Sequence, residues 1–191
     1  MSTNTKRPYR RFGITPEPEN LVLGFLWKII YLMGFVPSTF AKACGISQQL
    51  MHHYRNSDDC YLSTAQHLLG RVGISISPYL KNRDSEEDGD RLLAKGLNYS
   101  IIGQLPTGKA RAPKYVRDSA ASDGRLSFLA KALTRLSLSE REICAKTGLK
   151  RGKLICIFRQ DDIHISDLYR IASSMGLEVV WIVSELDENH Q

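Results

Sequence analysis

From Leu23 onward, apolar residues return every three or four positions, pause at Gly45, resume, and end near Gly73; the same rhythm restarts at Leu126. Sliding the chain along itself by 103 residues lays LGFLWKIIYLMGFVPSTFAKACGIS, from Leu23, over LSFLAKALTRLSLSEREICAKTGLK, from Leu126. The overlay continues with QQLMHHYRNSDDCYLSTAQHLLGRVGISI over RGKLICIFRQDDIHISDLYRIASSMGLEV, and no gap is needed through 54 positions. Identities are few: Leu23/Leu126, Phe25/Phe128, Leu26/Leu129, Lys28/Lys131, Gly45/Gly148, Asp58/Asp161, Asp59/Asp162, Ser63/Ser166 and Gly73/Gly176. Apolar character agrees far more widely, for example at Phe40/Ile143, Ile46/Leu149, Met51/Leu154, Tyr54/Ile157 and Leu68/Ile171. Two copies of one small helical domain are expected.

Each copy predicts the same string of short helices. The first covers about 23–33 and 126–136, with its apolar residues on one face. The second starts near Pro37, a suitable first helical residue, or at Ser139, where Ser-Glu-Arg-Glu forms a capping box. Gly45 and Gly148 end it, because glycine takes the left-handed conformation that stops a helix and turns the chain. A third helix begins at Gln48 or Arg151, and a fourth follows Ser63 or Ser166 and ends at Gly73 or Gly176. After Gly176, LEVVWIVS is β-branched and apolar on both faces, which predicts a buried strand. Its partner is either the GISIS segment after Gly73 or the same strand of a second subunit, so a homodimer joined through this strand is one expectation. The fold class is mainly α, with a short C-terminal β-strand. The chain divides into a basic arm over 1–20, a first helical domain over 21–80, a charged linker over 81–122 and a second helical domain with its strand over 123–191.

Helix, glycine turn, helix inside a small bundle is a helix-turn-helix arrangement. Both copies resemble the DNA-binding domain of phage-repressor (Cro-type) helix-turn-helix transcriptional regulators. The resemblance rests on Phe40-Ala41, Gly45-Ile46-Ser47, Met51 and Tyr54 in the first copy. In the second it rests on Ile143-Cys144, Gly148-Leu149-Lys150, Leu154, Ile157 and the closing segment LYRIASSMG. It covers 23–76 and 126–179, and Phe158 and Cys144 depart from the pattern. It implies two tandem lambda-repressor-like bundles, each laying its third helix in the major groove of double-stranded DNA.

With Met51 and Tyr54 turned inward, helical spacing leaves Gln48, Gln49, His53 and Arg55 outward. A glutamine amide donates and accepts at once, which suits the adenine edge, and Ser47 can cap the helix or touch phosphate. In the second copy Lys150, Arg151, Lys153 and Arg159 concentrate positive charge on the equivalent helix, suited to phosphate or, through Arg151, to guanine. Leu50, Gly152 and Cys156 complete the two expected DNA-facing surfaces, Gly152 permitting close backbone approach. Because the two helices differ, two unlike half-sites are expected rather than a simple palindrome, either on one chain or across a homodimer carrying four domains.

Composition sharpens this only modestly. A net charge of +6 permits a nucleic-acid partner. The excess sits partly in two proline-interrupted arms, with Lys6, Arg7, Arg10 and Arg11 before the first copy and Lys109, Arg111, Lys114 and Arg117 before the second. Such arms can follow phosphates or a minor groove, and Ser38 and Thr39 join them as phosphate candidates. In the linker, Asp84, Glu86, Asp88 and Gly89 imitate the start of an EF-hand loop, but Lys95 stands where the closing glutamate belongs; a short helix near 90–97 is expected instead. Four scattered cysteines form no zinc spacing, adjacent His52 and His53 diverge on a helix, and no nucleophile elbow or phosphate loop occurs. No enzyme, cofactor or metal is expected. Neither a spanning segment nor a signal-peptide core is expected, which makes the cytoplasm, and the nucleoid when on DNA, the anticipated location. The alternative is a protein-interaction adaptor, or an antitoxin-like partner binder that represses its own operon.

Overall fold

A computed structural model describes residues 21–82, 97, 99–104 and 124–186. Both basic arms, the acidic linker patch and all but the last residue of the helix expected near 90–97 lie outside them. The described chain is mainly helical with one two-stranded antiparallel sheet. In order it runs α1 (Leu21–Leu32), α2 (Pro37–Ala43), α3 (Gln48–Ser57), α4 (Leu62–Gly70), β1 (Ile74–Asn82), a single 3-10 turn (Tyr99–Gly103), α5 (Ser127–Arg135), α6 (Glu140–Thr147), α7 (Arg151–Gln160), α8 (Ile165–Ser174) and β2 (Leu177–Glu185).

Local chemistry sets these boundaries. Pro37 occupies the first turn of α2, and Ser139 caps α6 in a complete capping box with Glu142. The Ser139 hydroxyl and amide both donate to Glu142, holding its carboxyl below the usual range. Gly45 and Gly148 sit at φ 71° and 67°, the left-handed region that turns α2 toward α3 and α6 toward α7. Ser47 then caps α3, its Oγ accepting from the Leu50 amide at 3.1 Å.

The two halves are joined about a pseudo-two-fold axis. β1 and β2 pair antiparallel in a register centred on Pro78 opposite Trp181, two residues that are 103 positions apart and therefore equivalent. Of the two partners open to the C-terminal strand, the structure uses 74–82 of the same chain. A second equivalent pair, Tyr61 and His164, forms an antiparallel bridge on the same axis, with ring centroids 4.0 Å apart.

Around that bridge the halves exchange helix caps. Neither α4 nor α8 has a side-chain cap from its own N-cap residue. Instead, Leu62 donates its amide to the Ile163 carbonyl at 2.8 Å, and Ile165 donates to the Cys60 carbonyl at 3.0 Å. Asp162 accepts from the amide and hydroxyl of Ser63, and Asp59 accepts from the amide and hydroxyl of Ser166. A helix start leaves four amides without internal partners, and a carboxylate there also meets the positive end of the helix dipole. Each half therefore completes a helix of the other. Asp59 additionally meets His164 Nδ1 at 3.0 Å. Burial pushes the nearby Cys60 thiol up to about 12, with both carboxylates adding to the shift.

One continuous apolar core runs through both halves, from Val22 and Phe25 of α1 to Trp181 and Val183 of β2. Leu97, Ile101 and Ile102, from the segment expected to be a charged linker, are buried in it. Trp181 is fully buried and donates from Nε1 to the Tyr169 hydroxyl at 2.8 Å.

Candidate nucleic-acid interface

On α3 the core side is narrow. Met51 is buried and Tyr54 half-buried, which leaves Ser47, Gln48, Gln49, Leu50, His52 and His53 exposed. Residues 48, 52 and 55 form one outward stripe, 49 and 53 its neighbour. Arg55 is half-buried, with its guanidinium 5.6 Å from the centre of the Trp27 ring. It is thus partly held by the protein itself. His52, which the sequence pattern does not place among the DNA-facing residues, occupies the Gln48 stripe.

On α7 Leu154 and Ile157 are buried, while Lys150, Arg151, Gly152, Lys153, Cys156 and Arg159 are exposed. The four cations are not equivalent. Arg151 Nε contacts Glu140 Oε2 at 3.0 Å with both side chains largely in water, a pair worth little and easily exchanged for another acceptor. Lys153 has a deeper role. Its Nζ lies 2.9 Å from Oδ1 and 2.7 Å from Oδ2 of Asp167, a carboxylate buried in the first turn of α8. Lys150 and Arg159 make no ion pair among the described residues. A Cβ on Gly152 would meet nothing within 4 Å, so no internal contact demands this weak helix residue. Phe158 packs half-buried against the core, and its counterpart is Arg55; the counterpart of Trp27 is Ala130. The aromatic of that pair has changed helices between the copies.

The Lys153 contact makes a stability prediction. Lys153→Met should cost about 1.5 kcal/mol in urea unfolding, because it strands a buried carboxylate, discounted for the half-exposed ammonium. Lys150→Met should cost less than about 0.5 kcal/mol. Equal costs for the two variants would show that Asp167 does not depend on Lys153.

Comparison with protein-family profiles, curated proteins and solved structures returns no match to this chain.

Among the phosphate candidates, Thr39 is exposed and Ser38 half-buried on the first turn of α2; the arm lysines and arginines fall outside the described residues. No group of three or more His, Cys, Asp or Glu able to hold a metal occurs among the described residues. Cys44 is buried, and burial pushes its thiol up to about 11. No single described helix is long and apolar enough to cross a membrane. Sequence reasoning missed the cluster at the pseudo-axis: Asp59, Asp162, Ser63, Ser166, Tyr61 and His164. These six residues form three equivalent pairs. Two were visible as polar identities between the copies, while Tyr61/His164 carried no signal.

Proposed function

We propose that the chain is a sequence-specific double-stranded DNA-binding regulator of transcription, built from two lambda-repressor-like helix-turn-helix modules. It acts by occupying promoter DNA, with repression the favoured outcome. The observation that supports this reading is the exposed first turn of α3, Ser47-Gln48-Gln49, and its exposed counterpart Lys150-Arg151-Gly152, in two halves related by a pseudo-two-fold axis. A two-fold rotation leaves any direction along its axis unchanged, so this reading takes the exposed first turns of α3 and α7 to face along that axis, where both meet one duplex from the same side. Each helix ends four residues from the axis and is about 15 Å long. Their first turns are therefore separated by no more than roughly 60 Å, a span that includes the ~34 Å between major grooves one turn apart.

Within this frame Gln48 and Gln49 meet adenine, Arg151 exchanges Glu140 for guanine, and Lys150 and Arg159 meet phosphate. Gly152 lets the backbone of α7 come close to the duplex. The decisive test is Gln48→Ala with Gln49→Ala. Binding to the selected site should weaken by about 1–2 kcal/mol, roughly tenfold to thirtyfold, while binding to unrelated duplex holds nearly constant. Unchanged selectivity in competition binding would remove both glutamines from base reading.

A second reading applies to α7. Exposed Ile155, together with two cations already facing carboxylates, favours a protein-docking adaptor surface there. Salt separates the two. A DNA-reading α7 steepens the dependence of affinity on salt, and substituting Lys150 or Arg159 should lower that slope by about one unit each; an adaptor surface gives no change.

A further inference from the structure

We infer that a single chain fills a complete operator made of two unlike half-sites in inverted orientation. This rests on the DNA-reading proposal above and adds the arrangement and stoichiometry of the ligand.

Tandem modules on a flexible tether could follow a duplex in the same direction, giving a direct repeat. The geometry here is different. The register from Ile74 opposite Glu185 to Asn82 opposite Leu177 maps onto itself when the halves are exchanged, since Leu177 is the equivalent of Ile74 and Glu185 of Asn82. The cross-axis bonds of Leu62 and Ile165 exchange in the same way, as do the Asp162–Ser63 and Asp59–Ser166 caps. All of these relate α3 to α7 by one two-fold axis, as inverted rather than repeated copies. Local two-fold axes of B-DNA relate inverted half-sites, never direct ones, so this protein matches only the inverted arrangement.

The side chains then break the symmetry. Gln48 is the equivalent of Arg151, Gln49 of Gly152, and Ser47 of Lys150. One half-site is adenine-bearing and the other guanine-bearing, so the chain sits on its operator in one direction only. A second copy is not required. The strand pairing and cap exchange through which two single-module chains would join are already made within this chain.

The experiment uses the full chain and a random duplex pool, followed by synthetic duplexes carrying the selected half-sites in three arrangements: inverted unlike, direct unlike and inverted like. Expected are one chain per duplex by native mass measurement and at least about tenfold preference for the inverted unlike arrangement. The Gln48→Ala, Gln49→Ala variant should lose base preference in one half-site only. Two chains per site, preference for direct repeats, or equal binding to the inverted like duplex overturns this inference and leaves DNA reading standing. Failure to select any competition-resistant duplex overturns DNA reading itself, and this inference with it.

Discussion

Trp181→Ala is expected to lower stability by about 4 kcal/mol, near the upper range for removing an aromatic side chain from a core. Trp181 is fully buried in β2, directly opposite its own equivalent Pro78, and its neighbour Val180 is fully buried as well. Two losses combine. Removing the indole leaves a cavity where the halves meet, so neither half can close it by relaxing alone. It also takes away the donor that Tyr169 receives at 2.8 Å. Urea unfolding followed by circular dichroism should show the midpoint fall while the transition stays single. The single transition is the informative part, because α4 and α8 each depend on the opposite half for their first amides. If the variant unfolds in two separated steps, or loses less than about 1 kcal/mol, the axis does not join the halves into one cooperative unit. Trp181→Phe should recover part of the loss by refilling the space without restoring the hydrogen bond.

What could be read from the sequence follows the range of the interactions involved. The starts of α3 and α7 at Gln48 and Arg151 are local events, set by Gly45 and Gly148 and by residues within one helical turn. The Ser139–Glu142 box is equally local, and both were legible. The first helix begins two residues earlier than its repeat pattern indicated: Val22 is buried and Leu21 packs against the core, whereas the equivalent positions before α5 are Gly124 and Arg125. The strand after Gly176 was legible as a strand but not in its choice of partner, since an exposed edge accepts any strand of matching length. The cap exchange is the clearest omission. A capping signal is normally sought three residues from the helix start, whereas Asp59 caps a helix 107 residues away. Yet Asp59/Asp162 and Ser63/Ser166 stood among the nine identities, outside the glycine turns and away from the reading helices. In a chain otherwise drifted apart, repeated polar residues of that kind point to contact between the copies. Lys153 carried the opposite lesson. Its charge and position on α7 suggested phosphate, and only the fold brings Asp167 beneath it.

The cap exchange can be tested by its energetics. Asp59→Ala and Asp162→Ala are each expected to cost about 1.5 kcal/mol, the usual range for losing a capping carboxylate with its hydrogen bonds. Asp162 has a further bond to the Ile163 amide at 3.0 Å and Asp59 its contact with His164, so the two costs should be similar. The double variant should lose about 3 kcal/mol, and slightly more than the sum of the singles. The two like charges cap helices on either side of the Tyr61–His164 bridge, and like charges held near one another repel. Removing either alone relieves that repulsion and hides part of its own cost; removing the second brings no such relief, so the coupling has a definite sign. Asp→Asn at both positions keeps an acceptor for the Ser63 and Ser166 amides and should recover much of the loss. A double variant no weaker than either single would mean the two caps act through one common contact, which the paired, reciprocal bonds to Ser63 and Ser166 do not permit if the halves meet as observed.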